Sequence, residues 1–433
     1  MSKNNKGNVF AIAIMFFLFA MIAFVTGLQN PFGIVVKEQF GASNAMSQLG
    51  NAANFIAYAF LGLPAGFILK RRGYKVTALT AVAIGFIGVG ITYLSGIVGQ
   101  FWVYLLGAFV SGFSMCMLNT VVNPMLNTLG GGGNRGNQLI QLGGSMNSLA
   151  ATIVPVLVGY LIAGAAKATI ADVNPALYIA MGVFALAFII ILFSAIPEPE
   201  LEAVKASMAQ KEAEEGTFSL IKGALSHKNL VFGLIAIFLY VGIEVGIPNT
   251  MNNFLTTATD AAQPGFGMDK GAAGAVVAIY WLLMLVGRLI GGAIGGKVSS
   301  RMMIAIVSSV AMALIVVGVL LPGAMVKFPS LDSQTFSFSL VEIPVGVMLF
   351  VLCGLCTSVM WGAIFNLAVE GLGKYTSIAS GLFMVMVCGG GLLPLAQGAV
   401  VDAAGFMNSY WVLVAALAYI LWFALIGSRT NKE

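Results

Sequence analysis

Twelve times along this chain the sequence turns apolar for about twenty residues or more, and each run is long enough to cross a bilayer as a helix. The runs fall at roughly 8–36, 45–69, 76–95, 99–129, 138–165, 175–195, 229–257, 271–296, 302–322, 342–370, 375–401 and 407–428. Such a pattern admits one kind of fold, because a chain in lipid must satisfy its backbone hydrogen bonds internally and a helix does so alone. Only 9% of the residues are charged and 59% are hydrophobic, against about 25% charged in soluble domains. The expectation is an all-α membrane protein of twelve transmembrane helices. The first run is too long for a signal-peptide core, so it counts as a span.

Charge placement gives the orientation. Of the 21 lysines and arginines, all but Lys37, Lys167, Lys270 and Lys327 fall on the side that carries both termini. Basic loops stay inside, which puts the termini in the cytoplasm of a multi-pass protein of the cytoplasmic (inner) membrane. This placement accounts for the net charge of +5 without a nucleic-acid partner. The four cysteines lie inside apolar runs at spacings that suit neither a metal site nor a disulfide framework. The single histidine, His227, sits at a loop edge.

Residues 196–228 form the one long charged stretch, and helix formers within it suggest an amphipathic helix on the inner surface. It divides the chain into six-helix bundles at 1–195 and 229–433. The halves echo each other. Gly62 to Gly73 and Gly287 to Lys297 both place glycines four apart ahead of a basic turn. NPMLNTLG at 123–130 likewise parallels NLAVEGLG at 366–373. Twin halves with a solute site at their seam mark many secondary transporters. The outer loop 323–341 is polar and serine-rich, and it reads as loosely ordered. GGGGN at 130–134 lacks the Lys-Ser/Thr of a phosphate-binding loop, and no nucleophile–base set is present, so neither ATP-driven transport nor an enzyme is indicated.

Within the seventh run, Glu244 stands near mid-membrane, where insertion scales put the cost of a charge at about 2.5–3.5 kcal/mol. An acid held there faces the protein interior or water and is a functional-site hypothesis by default. Pro248 follows four residues later and frees a backbone carbonyl, and Asn249, Asn252 and Asn253 come next. Amides recur elsewhere on single helix faces. Asn119, Asn123 and Asn127 repeat every four residues, and Gln138, Gln141, Ser145 and Ser148 form a second stripe with Asn147 beside it. Gln29 and Asn30 precede Pro31, where the first helix should kink, and Asn51 and Asn54 mark the second span. A stripe of amides can simply glue helices together. Several facing stripes suit one wall of a hydrated cavity.

The wall offers no Lys or Arg at mid-membrane, with Arg288 read as lying toward the inner end of its span. An anionic solute wants a fixed cation, whereas amides present donors and acceptors to neutral polyhydroxylated solutes. Tyr240, Tyr280, Trp281 and Trp361 could supply flat faces for a sugar ring, and Asn366 lies one turn beyond the last of these. Trp102, Trp411 and Trp422 suit interfacial anchors instead.

Five stretches carry a resemblance: PAGFILKRRGYK at 64–75, NTVVNPMLNTLG at 119–130, SMNS at 145–148, YVGIEVGIP at 240–248 and GGGLLPLAQGAVVDAAG at 389–405. The chain resembles the fucose and glucose/galactose symporters of the major facilitator superfamily. The resemblance implies the major facilitator fold, two pseudo-symmetric six-helix bundles with a central sugar site and alternating access by rocking of the halves. Proton-coupled fucose symporters of this type carry acids where Asn30 and Asn119 stand here, so the usual proton carriers are missing. The YVG-x-Glu pattern ending at Glu244 is similar to the glucose/galactose branch, of which some members use sodium.

The reading is therefore a monomeric secondary transporter moving a neutral sugar or sugar derivative, a hexose or close relative, inward with a cation. Glu244 is the candidate for H+ or Na+ coupling or for hydrogen bonding to the sugar, and no other cofactor or metal is implied. Rivals are an uncoupled facilitator, a transporter of another neutral solute, a drug exporter, and a membrane sensor, for which the linker and short tails leave little room.

Overall fold

The computed structural model describes residues 3–130, 133–163, 165–198, 217–294, 298–321, 323–331, 337–372 and 375–429. Eleven of its helices are long and apolar enough to cross a membrane, and a bent pair makes a twelfth. In chain order the first half holds α1 (Lys3–Phe40), α2 (Asn44–Ser47), α3 (Leu49–Val98), α4 (Phe101–Leu129), α5 (Gly133–Ile162) and α6 (Asn174–Phe193). A short surface helix, α7 (Thr217–Leu225), follows. The second half holds α8 (Lys228–Thr256), α9 (Lys270–Ile294), α10 (Ser300–Leu320), α11 (Val345–Thr357), α12 (Met360–Val369), α13 (Thr376–Met386), α14 (Gly389–Ala404) and α15 (Phe406–Trp422).

Several boundaries differ from the sequence reading, each for a local reason. The helix α1 runs on through Pro31 to Phe40, beyond the expected end of the first run. Two spans, Leu49–Leu69 and Arg71–Val98, follow each other in α3 with a kink at Gly73, which takes φ 81°, a conformation that glycine adopts at no steric cost. The backbone N–H groups of Tyr74 and Lys75, which open the second span, donate to the Glu198 carboxylate at 2.6 and 2.8 Å. Residues 325–331 and 338–344 are not a loose loop. Strands β1 (Met325–Leu331) and β2 (Phe338–Pro344) pair antiparallel, with Met325 opposite Pro344 and Leu331 opposite Phe338. Alternating burial along both strands, which aims Phe328 and Ile343 inward, supplies the period of two that the composition of this stretch obscured. The tenth span bends by 41° between α11 and α12. Of the segment expected to carry an inner-surface helix, residues 199–216 lie outside the described ones, and the part that follows them carries α7.

Small residues let the halves approach. A side chain at Gly274 of α9 would collide with the Pro155 carbonyl of α5, and one at Gly159 would meet Lys270 and Gly271. At Gly391 of α14 it would meet Ala52 of α3. Backbone-to-backbone contact of this kind is how helices associate where lipid gives no hydrophobic drive.

Polar ties between the halves gather at the end opposite the termini, here called the distal end. Asp402 accepts from the Asn44 backbone at 2.9 Å, the Asn44 side chain at 2.8 Å and the Ala45 backbone at 2.8 Å. Lys37 donates to Asn44 and Thr257 at 2.8 and 2.9 Å. Lys270 pairs with Glu38 at 2.7 Å, and Asn249 donates to Gln48 at 3.0 Å. The distal end of the seam is closed.

Candidate functional site

Glu244 lies on α8, away from lipid, and its local geometry follows from Pro248. Residue 248 has no N–H to return to the Glu244 carbonyl, so that oxygen needs another donor. Tyr280 of α9 supplies it, its hydroxyl donating at 3.1 Å and sharing a further 3.1 Å hydrogen bond with Thr357 of α11. The broken ladder of α8 is thus repaired by the neighbouring helices, which fixes the height at which the carboxylate is presented.

The carboxylate itself pairs with Arg288 of α9, Nη2 to Oε1 at 3.3 Å. The sequence reading, which offered no cation at mid-membrane, is corrected here. Side chains lean toward the N-terminus of their helix, so an arginine set toward the inner end of α9 reaches back to the level of Glu244. Arg288 Nη1 also crosses to the other half, donating to the Gly144 carbonyl at 2.6 Å and the Ser148 hydroxyl at 2.9 Å on α5. The two charged side chains keep 13% and 15% of their surface. A neighbouring cation and anion leave the site without net charge, which suits a neutral solute as the missing cation was expected to do.

Some of the expected residues contact this pair or its neighbours, and others lie on α4 and α5 of the opposite half. Tyr240 precedes Glu244 by one turn of α8 and is fully buried, and its ring lies 6.3 Å from that of Trp361 on α12. Its hydroxyl faces the Glu244 carboxylate without forming a well-aligned hydrogen bond. Trp281 stacks edge-on against Tyr280 at 5.3 Å. On α5, Asn147 follows the turn that binds Arg288 and donates to the Phe19 carbonyl of α1 at 3.3 Å. Asn119 donates to Tyr58 and to the Met115 carbonyl at 3.0 Å each, and Asn123 donates to the Asn119 carbonyl at 2.9 Å. All three asparagines are half-buried.

Other expected residues stand apart. Gln29 accepts from Tyr104 at 3.0 Å, Asn51 donates to the Gly390 carbonyl at 2.7 Å, and Asn249 is tied to Gln48. These amides join helices, the role that competes with solute binding for any buried amide. Asn253 is buried beside Gly33 in the distal closure, and Asn366 is exposed on α12. The side chains of Asn30 and Gln141, like those of Asn127 and Gln138, lie outside the described ones. Among the described residues no cluster of three or more His, Cys, Asp or Glu side chains could hold a metal ion.

The Major Facilitator Superfamily profile matches residues 15–394. A glucose/galactose transporter of Brucella abortus is 30% identical over 432 residues, covering 99% of this chain and 96% of its own. The L-fucose-proton symporter of Escherichia coli is 21% identical over 448 residues, covering 98% and 95%. Among solved structures, the E. coli fucose:proton symporter FucP superposes with a TM-score of 0.70 at 19% identity, over 98% of this chain and 100% of that one. The nucleoside transporter NupG gives 0.61 at 15% identity, over 96% and 98%. The chain belongs to the Major Facilitator Superfamily, a family of multi-pass membrane transporters. It has that family's fold and is not an enzyme.

Proposed function

We propose that this protein carries a neutral hexose or a close derivative inward across the cytoplasmic membrane together with a cation, by alternating access of its two halves. The carrying observation is the Glu244 carboxylate, held at the seam of α8 and α9 and joined through Arg288 to α5 of the other half. The names of the relatives supply the solute class: one is a glucose/galactose transporter and another an L-fucose-proton symporter.

In this reading the halves comprise residues 1–195 and 229–433, both termini are cytoplasmic, and one chain holds the whole pathway. The sugar lies between the Tyr240, Trp281 and Trp361 rings and the half-buried oxygens of Asn119, Asn123 and Asn147. These are acceptors for hydroxyl donors, which is the chemistry a sugar brings. Glu244 binds the coupling H+ or Na+, or a sugar hydroxyl, each of which competes with Arg288 for the carboxylate. The closed distal end supports a conformation whose solute route leads toward the termini.

The test is uptake of labelled D-galactose and D-glucose into proteoliposomes under an imposed pH or sodium gradient. Accumulation with one gradient and abolition of it in Glu244→Gln is expected. Transport of neither hexose, or accumulation by Glu244→Gln equal to that of the unaltered protein, overturns the reading.

A further inference from the structure

We infer that Arg288 is a positioning residue that couples occupancy of Glu244 to the contact between the halves, an inference that rests on the function just proposed. Its guanidinium is shared. Nη2 faces the acid of its own half, and Nη1 makes two hydrogen bonds to α5 of the other. These two bonds join the halves on the side of the α5–α9 contact nearer the termini. Nearer the distal closure, α5 and α9 touch through Gly159, Gly271 and Gly274 with no side chain between them. Along this helix pair the approach is therefore steric at one end and charge-assisted at the other.

The two sets of bonds depend on each other. A guanidinium presents its donors in one rigid plane, so fixing one edge against a carboxylate fixes where the other edge points. While Glu244 is ionised and unoccupied it holds that plane, and Nη1 is aimed at Gly144 and Ser148 before they are met. When a cation, a proton or a solute hydroxyl takes the carboxylate, Arg288 loses its orienting partner. The tie to α5 then loosens at the end nearer the termini, and the halves are free to rock. Occupancy of one group is converted into mobility of an interface, which is what a coupled carrier requires.

The test measures the distance between spin labels at Thr128→Cys and Glu370→Cys, exposed positions on opposite halves at the end bearing the termini. The four native cysteines are buried. Arg288→Lys keeps the charge beside Glu244 but loses the fork, and it should lengthen and broaden the distance distribution without added solute. Glu244→Gln should act in the same direction, and the double variant should go no further than the larger single one, because both remove one shared device. Ser148→Ala, which deletes one α5 acceptor and no charge, should give a smaller shift of the same sign. At saturating D-galactose the uptake rate of Arg288→Lys should fall about tenfold while half-saturation stays within about threefold.

An unchanged distribution in Arg288→Lys and Ser148→Ala overturns the inference, as do additive shifts in the double variant. A loss of galactose affinity matching the loss of rate also overturns it, by making Arg288 a solute ligand. The distance measurement needs no solute, so it decides this point even if neither hexose is carried.

Discussion

Replacing Asp402 with asparagine tests the distal closure at its most heavily bonded point. The carboxylate accepts three hydrogen bonds from the opposite half, two of them from backbone N–H groups of α2. The amide keeps one acceptor oxygen, but its NH2 group must face either Ala45 N–H or the Asn44 donors. One bond is lost and the others become neutral. Hydrogen bonds to a charged group contribute about 1.5–3 kcal/mol net and neutral ones about 0.5–1.5. Asp402 is half-buried, and water takes over its bonds when the halves part, so the loss to the closed state is about 2 kcal/mol, nearer the lower end of the sum. At about 1.4 kcal/mol per decade, the ratio of closed to open molecules falls about thirtyfold. Spin labels at Lys167→Cys and Asp260→Cys, exposed at the distal end on opposite halves, would report a second, longer distance population. If Asp402→Asn leaves that distribution as it was, the polar ties do not hold the distal end shut.

Two further outcomes follow from the site. Tyr280→Phe removes the donor to the Glu244 carbonyl, which Pro248 cannot satisfy, and should destabilise the protein by about 1–3 kcal/mol, read as a fall in Tm in detergent. Trp361→Ala should raise half-saturation for D-galactose about tenfold, the scale of about 0.5–1.5 kcal/mol for an aromatic contact, with a smaller change in maximal rate. A change confined to the maximal rate, with half-saturation unaltered, would place that ring outside the pocket.

The sequence made the spans legible because lipid allows so few backbone solutions: apolar length alone separated α4, α5, α6 and α8. Glu244 and Pro248 were legible for the same reason, since a charge and a missing N–H inside an apolar run each demand a partner. The partners were not. Tyr280 and Arg288 come from another helix, and one sequence does not state which helices meet. Arg288 was read as lying toward the inner end because position along a helix was counted from its backbone, while a long side chain leaning toward the N-terminus reaches about another turn. The hairpin of β1 and β2 was missed because its serines and prolines read as loop, while Phe328 and Ile343 show their alternation only once paired. Amides such as Asn51 and Asn249 could not be sorted into glue and pocket by spacing, since both uses need the same helix face.

The account stands most directly on gradient-driven accumulation of a labelled hexose in proteoliposomes by the unaltered protein and by Glu244→Gln, each checked for folding by its Tm. The account predicts that the former concentrates D-galactose or D-glucose under a proton or sodium gradient and that Glu244→Gln does not. Equal accumulation by both would contradict it.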